Sequence, residues 1–205
     1  MLPNNRFALK EWAVVAEALT TGRQLILLRK GGIADERGEF RLEHPEFFLY
    51  PTFEHQHRNL VRPEFLLDFD RAIAEQPQKD DVIICAYGVV SDCVVAKKVE
   101  ELRRLAAYYV WNDDYLRVRF DYKPNQPLFV LLVRAYRTPA RQIPFRPQYR
   151  GCKSWVEFDR ELSTAGTRSA LSAAEFESRR QEIRRLLGLD EGRTMPAPRM
   201  GAVGE

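Results

Sequence analysis

Cysteine is scarce in this chain: Cys85, Cys93 and Cys152 are an odd count, without metal-type spacing. That argues against a disulfide framework, because isolated cysteines usually serve as small buried hydrophobes. Lysine is scarce too, with 7 residues against 25 arginines. Positive charge is therefore carried by planar guanidinium forks that suit phosphates and base edges, although a codon bias toward arginine gives the same composition. The formal net charge is only +3, so the chain as a whole is not a polybasic binder of nucleic acid. No run approaches the roughly 18 apolar residues of a membrane span. The opening MLPNNRFALKEW lacks a signal-type apolar stretch. A soluble cytoplasmic protein with no membrane partner is expected. Also missing are a full phosphate-loop motif, an H-E-x-x-H pair, a G-x-S-x-G elbow and any internal repeat.

What is present is ordinary globular material, 45 % hydrophobic, with clear local patterns. Leu9, Trp12, Ala13, Ala16 and Leu19 share a face at helical spacing, which predicts a helix over 7–21 closed by Gly22. Leu25 to Leu28 reads as a central strand that runs into Arg29-Lys30-Gly31-Gly32. Phe40 to Leu42 and Phe47 to Tyr50 read as short strands limited by Pro45 and Pro51. Pro63 and Glu64 suit the first turn of a helix reaching Gln76-Pro77. Val82–Ala86 and Gly88–Ala96 look like paired or bent strands, and Lys97 to Tyr108 returns to helical period.

Leu116, Val118 and Phe120 alternate with Arg117, Arg119 and Asp121, predicting a strand over 115–121. Leu128 to Val133 suits the middle of a sheet, and the Pro- and Arg-rich 138–150 reads as an ordered loop. Ser154 with Glu157, and Ser172 with Glu175, are capping-box patterns, each predicting a helix; Gly188 closes the second. The expected organisation is a single α+β domain over 1–165, a C-terminal helix over 166–188 and a disordered tail over 189–205.

Function is sought between Arg23 and His57, where all three histidines fall after the glycine turn, among glutamates and large apolar side chains. Arg29 and Lys30 beside Gly31 and Gly32 offer cations and exposed amides to a phosphate; a solvated glycine turn is the plainer reading. Glu54, His55 and Gln56 have the side chains that read base edges, with His44, Tyr50 and Phe53 completing a pocket. Metal binding by His44, Glu54, His55 and His57 is a weaker reading, since His55 and His57 share a face on a strand but not on a helix. Cys152 beside Lys153 is a candidate nucleophile that reads equally well as part of a turn. Arg179, Arg180, Arg184 and Arg185 form a basic face on the last helix, usually just solvated.

The strings ALKEWA (8–13), LLRKGGI (27–33), HPEF (44–47), YPTFEHQ (50–56) and GCKSWVE (151–157) resemble a bacterial family known as a domain of unknown function. Some of its members stand beside restriction-endonuclease-type catalytic domains. The resemblance implies a link to restriction-modification or defence, with nucleic acid, DNA rather than RNA, and a restriction-type nuclease as partners. It implies no reaction and no cofactor. In layout, a helix ending in ALTTGRQ before a strand and an Arg-bearing turn is similar to PUA-like domains of the ASCH and EVE type. The fold expected is α+β, with one mixed or antiparallel sheet of PUA-like barrel layout and flanking helices.

The leading function is a nucleic-acid-interacting accessory protein that is not itself a catalyst. One rival is a Mg²⁺-dependent nuclease using Asp113 or Asp114 with Asp121 and Lys123, as in the acid-x-Lys pattern of restriction nucleases. Another is a structural partner subunit without a ligand.

Overall fold

The computed structural model describes residues 1–30, 42–77, 81–151 and 153–189. Strand β1 (Asn4–Trp12) passes directly into helix α1 (Ala13–Thr20), and β2 (Ile26–Lys30) follows. Strand β3 (Glu46–Thr52) leads to α2 (Leu66–Ala74), entered through a 3₁₀ turn at Pro63–Phe65. Then come β4 (Asp81–Ala96), α3 (Val99–Arg103), α4 (Asp113–Asp121) and β5 (Leu128–Pro144). Strands β6 (Trp155–Ser163) and β7 (Arg168–Ser169) and helix α5 (Ala173–Leu186) complete the described residues.

One mixed sheet organises the molecule, in the order β2-β5-β4-β3-β1-β6 with β7 beside β5. Among the described residues only β1 and β3 are parallel. The sheet rolls up strongly. Flat strands four places apart would lie about 19 Å from each other. Yet Arg29 of β2 donates to the Lys10 carbonyl of β1 at 2.9 Å, and Arg141 of β5 to the Ser163 carbonyl of β6 at 2.5 Å. Both pairs of strands are four places apart in the sheet order. Side chains, not a further ladder, draw the edges together.

Two cores result, one on each side of β3. Phe47 and Leu49 face the larger core with α1 and β2, while Phe48 and Tyr50 face a smaller one with Val82, Ile143 and Phe158. A strand buried on both faces reads as an unbroken apolar run, which is how it stands in the sequence. Gly22 closes α1 at φ +70°, and the Arg23 and Gln24 amides fold back on the Ala18 carbonyl.

Four sequence expectations change. β1 replaces the first half of the expected N-terminal helix, because 4–12 is claimed by β3 and β6 on either side. The expected strand at 115–121 is α4: Asn112 accepts a hydrogen bond from the Tyr115 amide at 3.1 Å and opens a helix with two aspartates in its first turn. The expected loop at 138–150 is largely the second half of β5, paired to β4 as far as Pro144. The expected helix at Ser154 is β6, where Val156 and Phe158 are buried and Glu157 and Asp159 exposed.

The last helix follows its capping box, with the Ser172 hydroxyl accepting from the Glu175 amide and the Glu175 carboxylate from the Ser172 amide. Three of its arginines serve the fold. Arg180 and Arg184 both reach Asp92 of β4 at 2.6 Å, and Arg179 donates to the Gly22 carbonyl at 2.7 Å. The expected tail beyond Leu189 and the strand residue Phe40 lie outside the described residues.

Candidate functional site

Successive side chains of a strand alternate between its faces, so Phe7, Leu9 and Glu11 of β1 line up on one side about 7 Å apart. Trp155 of β6 is the register partner of Leu9, and Glu157 that of Phe7. At the near end of this row, His44 stacks on Phe7 with ring centroids 3.7 Å apart and meets the edge of Trp155 at 4.8 Å. Burial holds the His44 imidazole below its usual range, against the pull of Glu43 and Glu157. It is therefore a neutral aromatic surface at ordinary pH. Phe7, His44 and Trp155 are all half-buried, so the stack presents part of its area to solvent.

At the far end Glu11 is buried, its side chain 7 % exposed, and pairs with Arg29. Burial raises the Glu11 carboxyl, outweighing the attraction of Arg29 and Arg119. Arg119 of α4 approaches the Leu28 carbonyl at 3.4 Å, so two guanidinium groups flank one carboxylate. The Nε atoms of both arginines are buried and have no hydrogen-bond partner among the described residues. Beside them the half-buried Trp12 and Tyr115 meet edge to face at 5.2 Å, and Tyr115 stacks on the buried Trp111 at 4.9 Å. The face thus combines partly exposed rings with two guanidinium groups set against one carboxylate.

The structure distributes the ten residues expected to bind nucleic acid or ligand rather than gathering them. Arg29 lies on this face as the partner of Glu11. Lys30 donates to the Phe120 and Lys123 carbonyls, closing the C-terminal end of α4. Gly31 and Gly32 lie outside the described residues, as does Cys152. His44 joins the aromatic stack, whereas Tyr50 points into the smaller core against Tyr149 at 6.2 Å. Phe53 is half-buried; Glu54 and His55 are exposed, with His55 at φ +58°. Gln56 holds both side-chain amide atoms buried and without a partner among the described residues.

His44 and His55 stand beyond opposite ends of the seven-residue β3, a span of about 23 Å. Among the described residues no three His, Cys, Asp or Glu side chains group to hold a metal ion. The acid-x-Lys run also changes setting. Asp121 ends a helix, Lys123 follows at φ +48°, and Asp113 is taken by Arg103 at 2.7 Å. A strand-borne acid pair with its lysine does not form there.

Sequence reasoning missed Glu11, Trp12, Tyr115, Arg119 and Trp155 as a group. The helix expected over 7–21 had taken in Glu11, and strand alternation had set Arg119 on a sheet. The alternation of Phe7, Leu9 and Glu11 was the signal available.

Among solved structures, an ASCH protein from Zymomonas mobilis is similar at a TM-score of 0.42 and 12 % identity, covering 75 % of this chain and 87 % of that one. A serine-to-alanine mutant of it gives a TM-score of 0.43 at 12 % identity, covering 78 % and 92 %. A tyrosine-to-phenylalanine mutant gives 0.42 at 10 %, covering 75 % and 90 %. No curated protein sequence matches. No helix among the described residues is long and apolar enough to cross a membrane. The family model described as a domain of unknown function (DUF1802) matches residues 8–182, and the chain belongs to that family.

Proposed function

We propose that this protein binds single-stranded nucleic acid at the partly exposed side chains that border the β1 row, Phe7, His44, Trp155 and Arg119, the Leu9 and Glu11 side chains of that row being buried. One observation carries the reading: the half-exposed rings of Phe7, His44 and Trp155 share that face with the half-buried side chain of Arg119. Unpaired bases stack on aromatic rings without regard to sequence, and arginine takes the phosphates. Trp155 and His44 are the stacking surface, Arg119 is the phosphate contact, and Arg29 supports it from behind. A duplex, whose bases are already stacked, fits such a surface less well. DNA rather than RNA is the preferred strand in this reading. The protein then serves as a non-catalytic accessory to a restriction-type nuclease, as its sequence resemblance implies.

The test is fluorescence anisotropy with labelled single-stranded DNA and RNA over a salt series. Arg119→Gln is expected to lower the slope of log K against log salt by about 0.7 for the lost phosphate contact. Trp155→Leu is expected to weaken binding by about 1–3 kcal/mol without changing the slope. Wild-type affinity and slope in both variants would remove this face from the site.

A further inference from the structure

The curled sheet leaves a seam on the side of the smaller core. Among the described residues, 141–144 of β5 pair with β4 on one side only, and β6 pairs only with β1. Side chains alone cross between these edges: Arg141 to the Ser163 carbonyl at 2.5 Å, and Arg146 to Asp159 at 3.0 Å. Under them lies a cavity of about 300 Å³, with Ile143, Tyr149, Phe158 and Leu162 as apolar wall and Arg146 and Arg160 at the rim. A second space of about 410 Å³ shares Arg160 and Leu162 and adds Arg141.

The charges around this seam are unevenly spent. Asp159 is occupied by Arg146 and by Gln148, the latter at 3.3 Å. Among the described residues Arg141 donates only to main-chain carbonyls, those of Pro139 and Ser163. Arg160 has no hydrogen bond or ion pair among the described residues. Glu161, on the second space, is exposed to solvent.

Arg160 stands between buried Phe158 and Leu162, where alternation calls for a third apolar residue. It also falls where the ladder to β1 is interrupted, between the pairs Phe7–Glu157 and Asn5–Leu162. Bulges of this kind re-aim a side chain beside binding sites. An arginine stem lying along an apolar wall with its head in water would account for Arg160 alone. It does not account for Arg141 arriving at the same space from another strand.

We infer that the seam binds a small amphipathic anion: an apolar body against Ile143, Tyr149, Phe158 and Leu162, and an acidic head between Arg160 and Arg141. The volume falls at the lower end of the range for ligand pockets, about 300–1,000 Å³. The head forms charge-assisted hydrogen bonds to guanidinium N–H groups that hold no carboxylate among the described residues. This site is separate from the nucleic-acid face and does not depend on it.

Anilinonaphthalene sulfonate, whose fluorescence reports transfer to an apolar site, is the probe. It is expected to bind the full chain at one saturable site and to be displaced by decanoate but not by decanol. Arg160→Gln and Arg141→Gln should each weaken it at least about tenfold, the effect of one lost charged hydrogen bond. Amide shifts on adding decanoate should centre on Ile143, Phe158 and Leu162, which also verifies that the variants remain folded. Displacement by decanol as effective as by decanoate, or unchanged affinity in both variants, would overturn the assignment.

Discussion

Arg29→Ala is expected to cost about 3–5 kcal/mol of folding stability, because it takes from the buried Glu11 carboxylate its hydrogen-bonded partner and leaves Arg119 as a charge that makes no hydrogen bond to it. Typical domains hold only about 5–15 kcal/mol, so the variant should unfold at much lower denaturant than wild type. Replacing both residues, as Glu11→Met with Arg29→Met, should recover most of the loss, since the desolvated charge leaves with its partner. The pH dependence follows from the raised Glu11 carboxyl. The folded chain holds that proton more tightly than the unfolded chain, whose group titrates near 4.5. Stability from this group is therefore greatest at low pH, falls as pH rises from about 4.5 through the folded value, and is flat above it. Glu11→Gln should abolish that slope. Urea denaturation from acid to neutral pH checks both, and a wild-type midpoint in Arg29→Ala would show that Glu11 is not desolvated.

Asp92→Ala should loosen the last helix. Asp92 accepts from Arg180, Arg184 and Ser91, and it is the charged tether between β4 and α5, which also buries Phe176 and Ile183. Its side chain is 10 % exposed, and those of Arg180 and Arg184 are 26 % and 15 % exposed. Allowing for that partial solvation, the cost is about 2–4 kcal/mol. Burial pushes the Asp92 carboxyl up, but hydrogen bonds from Arg180, Ser91 and Arg184 outweigh it and hold the group below its usual 3.8. The tether is thus at full strength above about pH 3.8 and is lost as pH falls through the folded value. Hydrogen exchange should show the α5 amides opening first in Asp92→Ala. Unchanged protection there would mean that apolar packing alone seats the helix.

What the sequence disclosed and what it concealed divide along local and non-local lines. The Ser172–Glu175 capping box, the Gly22 and Gly188 closures and the apolar run of β3 were legible because each is decided within a few residues. β1 was not. Leu9 and Trp12 fit a helical stripe, and only β3 and β6 on either side make 4–12 a strand. The Ser154–Glu157 pair carries a genuine capping pattern, yet β6 is extended because Val156, Phe158 and Leu162 complete the smaller core. In α4 the alternating apolar residues misled: Val118 is 62 % exposed, and the Asn112 cap with Asp113 and Asp114 was the truer signal.

The site inherited these errors. Arg29 and Lys30 stood out as a basic pair after a strand, but their roles depend on partners that the sequence hid. Glu11 was assigned to a helix, so no residue was available to claim Arg29. Lys30 closes α4, an element that had been read as a strand. The cation left on the face is Arg119, which had been counted as one side of an alternating strand.

Photocrosslinking is the most direct test of the nucleic-acid face. A single-stranded oligonucleotide carrying bromodeoxyuridine would be irradiated with the full chain and the crosslinked peptides sequenced. The account predicts adducts at Trp155, His44 or Phe7, competed away by unlabelled single strand. Specific adducts confined to α5, or to the seam around Arg160, would contradict it.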